Sequence, residues 1–221
     1  MGRPAQPKQL DASLAARLID AAELLYGAHG IGGASLRQIS AAAGTANNYA
    51  VQYHFGDQAG LIRGILEQRM PEIERRRAAL LARAKAKGRL GDLRTLNEVL
   101  YRPLIEHTSA SGEHLFARFV LALLTSEVGL QLASGTAELS PVSDHIIDLQ
   151  AAAHPAVPAG LLRERHRMIV TMILMSVLNR HALFDREREA ALIDNALDMA
   201  TSALSAPVSK AVRGLLRKPG H

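Results

Sequence analysis

The stretch from Ser35 to Phe55 constrains this chain more than any other, because it reads as two short helices joined by a turn too tight for bulky side chains. Ser35 caps the first helix through its hydroxyl, and Gln38, three residues on, reaches back to the capping residue's N–H in a capping box. Leu36, Ile39 and Ala43 recur at helical spacing, and Gly44 supplies the left-handed backbone that ends the helix. Ser40, Ala42 and Ala43 crowd the inner side, where steeply crossing helices must come close. The second helix is expected from about Asn47 to Phe55. Val51, or alternatively Ala50, anchors it inward beside Phe55, and Tyr49, Gln52 and Tyr53 face away at roughly a hundred degrees per residue.

An outward face carrying two tyrosines and an amide is chemically unlike a solvated charged face. Asn and Gln bond bidentately to adenine edges, tyrosine hydroxyls reach phosphates, and rings or methyls contact thymine methyls in a major groove. The residues this reading sets on duplex DNA are Arg37, Thr45, Asn47, Asn48, Tyr49, Gln52, Tyr53 and His54. The competing reading is a helical interaction module whose N-terminal hairpin contacts a protein partner.

The remaining chain reads as all-α. Its 221 residues are 48% apolar, and no segment alternates apolar and polar residues long enough for a strand. There is no cysteine, so disulfide and thiolate chemistry are excluded. The longest nearly apolar run, Met168 to Leu178, is too short to span a bilayer, and a cytoplasmic location is expected. The net charge of +5 is unevenly spread. Residues 1–57 balance Arg3, Lys8, Arg17 and Arg37 against Asp11, Asp20, Glu23 and Asp57, whereas residues 58–89 carry a net +6.

Four regions follow. Residues 1–11 form a flexible basic arm, read first as a disordered tail and alternatively as an arm that lays Arg3 in a neighbouring minor groove. Residues 12–57 form the helix-turn-helix head, whose first helix (about 12–29) turns Leu14, Leu18, Ala21 and Leu25 inward and Arg17, Asp20 and Glu23 away. Residues 58–205 form a helical body for ligand binding and dimerisation, and residues 206–221 a basic tail. Within the body, Pro71 kinks or divides the first helix, the run Arg75-Arg76-Arg77 is a solvated face, and further helices are expected at about 93–107, 113–132, 141–153, 159–184 and 186–205.

This order of parts resembles the tetracycline-repressor (TetR) family of bacterial transcriptional regulators. Ala43-Gly44 matches that family's turn, Tyr53-His54-Phe55 the end of its recognition helix, and Leu61 the apolar start of its connecting helix. The resemblance implies a homodimer built on the last two long helices, a palindromic duplex DNA operator, and a small molecule whose binding loosens the grip on DNA. Two positions depart from the family pattern. The recognition segment is one residue longer than in most members, and Gly56-Asp57-Gln58 replaces a lysine that many members set on a phosphate. Backbone N–H groups at that helix start would have to serve instead.

An enzyme reading has no positive support. The nine histidines show no metal-ligand spacing, and no nucleophile elbow or phosphate loop is present. Neither a metal nor a cofactor is therefore expected. For the ligand, Met168, Met172 and Met175 follow at helical spacing, and methionine adapts to irregular binding sites. The expected pocket comprises Leu100, His107, Arg118, Met172, Met175 and Asn179.

Overall fold

A computed structural model describes residues 7–109, 111–127, 129, 131, 137–178 and 186–216. Ten α-helices occur among them, and no strand: α1 (Pro7–His29), α2 (Leu36–Ala42), α3 (Ala50–Phe55), α4 (Gln58–Ala86), α5 (Leu93–Ile105), α6 (Leu115–Leu124), α7 (Pro141–Ala153), α8 (Ala159–Leu178), α9 (Arg186–Ser205) and α10 (Lys210–Leu216). A 3-10 turn, Ala137–Leu139, precedes α7. No helix of the described residues is long and apolar enough to cross a membrane. The chain divides into two compact units, Met1–Arg75 with Leu104–Pro141, and Arg76–Pro103 with Val142–His221.

In the first unit, α1 is the central element. It begins at Pro7, so residues 7–11 extend a helix where a loose arm was expected; proline suits a first helical turn because its missing N–H has no acceptor there. Leu18, Ala22 and Tyr26 are fully buried, and Gly27 lets α6 approach so closely that a Cβ there would lie 2.9 Å from the Cβ of Arg118. Tyr26, Phe116 and Phe119 form an aromatic core with tilted rings about 6 Å apart. Glu23, expected on the outer face of α1, is 3% exposed. The reason is long-range: Arg69 of α4 covers it, with N–H to O distances of 2.6 and 2.9 Å, and Arg69 also holds Asp20 at 2.6 Å.

α4 runs through Pro71 without dividing. A helix-interior proline costs about 3 kcal/mol in a bare helix, but here buried side chains secure the turns on both sides, Ile65 and Leu66 before it and Ile73 after it. Pro71 is exposed, as is Glu67, whose carbonyl loses its helical donor and can be solvated instead. α6 is shorter than the expected 113–132. It closes at Thr125, whose hydroxyl bonds back to Leu121 O at 2.7 Å, a competition with the helix that Ser and Thr commonly exert.

In the second unit, α5 turns Leu93, Leu96, Val99 and Leu100 inward, and α8 contributes Leu162, Ile169, Ile173, Leu174 and Val177. The core also holds a polar network. Asn97 donates to Thr201 Oγ1 at 2.9 Å and accepts from Gln150 Nε2 at 2.8 Å, and one turn along α5 the Tyr101 hydroxyl meets His166 Nδ1 at 2.6 Å. Arg77 corrects another expectation. Rather than lying on a solvated face it is 6% exposed, donating to Leu100 O at 2.9 Å and to Ser143 Oγ at 2.6 Å, and these acceptors are distant in sequence. The expected extension of α8 to residue 184 lies outside the described residues. Within the sequence read as a basic tail, Lys210–Leu216 is helical.

Candidate nucleic-acid interface

The hairpin of α2 and α3 is assembled from short-range bonds. The Ser35 N–H donates to Gln38 Oε1 at 2.8 Å and the Gln38 N–H donates to Ser35 Oγ at 3.3 Å, which is the expected capping box. Gly44 has φ +73°, and the Thr45 N–H beyond it returns to Ser40 O at 3.2 Å, so the chain reverses within three residues. Arg17 of α1 donates to Ala43 O at 3.0 Å and fastens the turn to the central helix.

α3 starts at Ala50 and not at Asn47. Thr45 Oγ1 accepts the Asn47 N–H at 3.1 Å, and Asn47 Oδ1 accepts the Tyr49 N–H at 3.0 Å. These two side-chain turns replace the first helical turn, as Thr and Asn often do by offering the backbone a local alternative. Ala50 and Val51 are both fully buried, so both proposed anchors point inward.

The outward set is now placed. Tyr49 and Tyr53 are 73% and 74% exposed. Gln52, Asn47, Asn48 and Arg37 are exposed, and Thr45 and His54 are half-buried. The His54 ring stands edge-on to Tyr53 with centroids 5.0 Å apart. Phe55 lies against α4 at Gly64, where a Cβ would come within 2.9 Å of its ring. The result is a short helix, sealed on one face and presenting an amide and two phenols on the other. Such a face offers donors, acceptors and apolar edges of the kind that read base edges in a groove.

Three residues outside the expected set, all following the hairpin, are engaged within the protein. Gln58 donates to Ile31 O at 3.0 Å and to the Tyr26 hydroxyl at 3.3 Å, joining the start of α4 to α1 and its following loop. Asp57 accepts the Gly60 N–H at 2.8 Å. That carboxylate occupies one of the N–H groups at this helix start, that of Gly60. Arg63, the nearest cation on α4, is paired with Glu67 at 2.8 Å and Glu138 at 2.7 Å. The sequence signal for Asp57 was present, an acid at the first position before a helix, and Glu67 four residues after Arg63 signalled part of its pairing; Gln58 gave none.

No protein-family model matches the chain, and no curated protein matches it. Among solved structures, it is similar to a protein from Mesorhizobium loti MAFF303099 assigned to the TetR family of transcriptional regulators. The two are 16% identical, with a TM-score of 0.47 over 89% of this chain and 96% of that one.

The expected ligand residues divide between the two units. His107 and Arg118 belong to the first, and Leu100, Met172 and Met175 to the second; Asn179 lies outside the described residues. His107 lines a cavity of about 600 Å³ in the first unit, together with Asp20 and Glu23 of α1, Arg69 and Glu72 of α4, and Thr108, Ser109, Ser111 and Leu115. Its Nδ1 is 4.0 Å from Glu72 Oε2. Burial pushes the Glu23 carboxyl above its ordinary pKa, against the opposing pull of the Arg69 hydrogen bonds and charge. On α8, Met172 is half-buried, while Met175 is 45% exposed, because Ile173, Leu174 and Val177 occupy the inward positions.

Proposed function

We propose that this chain is a sequence-specific DNA-binding transcriptional regulator, a repressor released from its operator by a small molecule. The observation that carries the reading is the division of α3: Ala50 and Val51 seal one face, while Tyr49 and Tyr53 stand three-quarters exposed beside Gln52 on the other. Large aromatic side chains held in water by a rigid helix are a contact surface in waiting. In this reading Gln52 takes a base edge, Tyr49 and Tyr53 take phosphate or thymine methyl, and Asn48, Arg37 and His54 hold the backbone. Thr45 and Asn47 act at one remove, since their side-chain oxygens shape the turn that sets the angle of α3.

One such head makes too few contacts for tight binding, so a homodimer reading a palindromic operator completes the proposal. Its interface is assigned to α8 and α9, where Met168, Met175 and Met199 are 59%, 45% and 51% exposed in the single chain. The releasing ligand is assigned to the cavity that His107 lines.

A mobility shift with the promoter region of the chain's own operon tests the proposal. A discrete complex that survives excess unrelated duplex, with a Kd of about 10⁻⁸ M or tighter, is expected. Equal, weak retention of both duplexes contradicts it, and a protein partner for the exposed tyrosines becomes the better account.

A further inference from the structure

The second unit contains a recess that the DNA-binding reading does not use. It measures about 260 Å³ and lies where the end of α4 meets α5. Leu80, Ala84 and Val99 supply an apolar floor, and Arg83, Lys87, Arg89 and Arg102 supply four cations around it. Their convergence has a local cause. α4 ends in a paired turn in which Gly88, at φ +66°, donates to Lys85 O at 3.0 Å and the Arg89 N–H donates to Ala84 O at 2.9 Å. The chain thereby folds back, and Arg89 lines the same recess as Arg83 and Lys87, which are one helical turn apart.

The charges are not equivalent. Arg89 is held by Asp92, and Arg102 by Asp194 at 2.9 Å. Glu98, the one acid lining the recess, is bonded to Arg94 at 2.7 Å. Among the described residues, Arg83 and Lys87 have no acidic partner. Two uncompensated positive charges beside an apolar floor define what fits.

We propose that this recess binds a small phosphate monoester carrying an apolar substituent. Its charge of roughly −1.5 to −2 near neutral pH matches Arg83 and Lys87, where a carboxylate would leave one cation unmatched. The planar fork of Arg83 suits phosphate oxygens. The substituent covers Leu80, Ala84 and Val99. The volume lies just under the roughly 300 Å³ at which ordinary ligand pockets begin, so the ligand is small. A concave recess of this size suits a compact molecule better than the extended backbone of a duplex. The site stands independently of the DNA-binding reading.

Calorimetric titration of the full chain with phenyl phosphate, inorganic phosphate and benzoate at fixed ionic strength tests it. Phenyl phosphate is expected to bind at least about tenfold more tightly than either of the others. Arg83→Gln and Lys87→Gln should each weaken it about tenfold with an unchanged thermal unfolding midpoint, whereas Arg75→Gln, which removes a surface charge away from the recess, should not. Absence of binding, equal affinity for the three anions, or indifference to Arg83→Gln and Lys87→Gln overturns the proposal. So does competition by a short random-sequence duplex that is itself weakened by the same substitutions, which would reassign the recess to nucleic-acid phosphates.

Discussion

The four tyrosines of this chain fall into two pairs with opposite placements. Tyr26 and Tyr101 are 0% and 3% exposed, and each hydroxyl has a partner: Gln58 Nε2 at 3.3 Å for the first and His166 Nδ1 at 2.6 Å for the second. Burial raises both phenol pKa values, so both rings stay neutral. Tyr49 and Tyr53 stand three-quarters in water on α3. A tyrosine in the interior contributes by covering its ring and satisfying its hydroxyl, whereas an exposed one gives up most of that stabilisation. The difference teaches that the same residue type builds the fold in one region and stands free of it in another, where we propose that it serves recognition.

The interior side of this comparison is most strongly perturbed by acid. Burial, reinforced by the Arg163 charge, pushes His166 down to about 4 from an ordinary 6.5. Between those values the unfolded chain binds a proton that the folded chain refuses, so stability is fully present above pH 6.5 and falls as the pH drops towards 4. The loss should total about 3 kcal/mol in urea unfolding, and His166→Gln should flatten that part of the profile. An unchanged profile would mean that the Tyr101–His166 pair is not buried in solution.

Next in size, Asn97→Leu leaves Gln150 without its amide partner inside the core and should cost about 2 kcal/mol in the same measurement. Thr201 is cushioned, because its hydroxyl also bonds to Leu197 O at 2.8 Å. Tyr26→Phe removes one hydroxyl that Gln58 uses and should cost about 1 kcal/mol. Tyr49→Phe and Tyr53→Phe, by contrast, should stay within about 0.5 kcal/mol of the parent. If an outer substitution destabilised as much as Tyr26→Phe, the division between the two pairs would fail.

How much of this was legible depended on the range of the interactions involved. The capping box at Ser35, the reversal at Gly44 and the outward placement of Tyr49, Gln52 and Tyr53 follow from residues within a few positions of one another, and the structure has them as the spacing implies. The late start of α3 is also encoded locally, in Thr45 and Asn47, but apolar spacing alone does not decide between their side-chain turns and a helical turn. The burial of Glu23 and Arg77 was not legible, because it depends on Arg69, Leu100 and Ser143, 23 to 66 positions away. Pro71 does not divide α4 for the same reason: its intrinsic cost to a helix is local, and the packing that offsets it is not. The ligand residues were chosen for polarity or softness on apolar helices, which does not say to which unit each belongs.

In the function we propose, the outer face of α3 recognises DNA and contributes nothing to folding. Affinity of the Gln52→Ala, Tyr49→Ala and Tyr53→Ala variants for the operator duplex, measured beside their unfolding free energies, tests it most directly. The account predicts that Gln52→Ala loses about 1–3 kcal/mol of binding and relaxes base preference, with the tyrosine variants also weakened and all three as stable as the parent within about 0.5 kcal/mol. Unchanged affinity and selectivity in all three variants would contradict it.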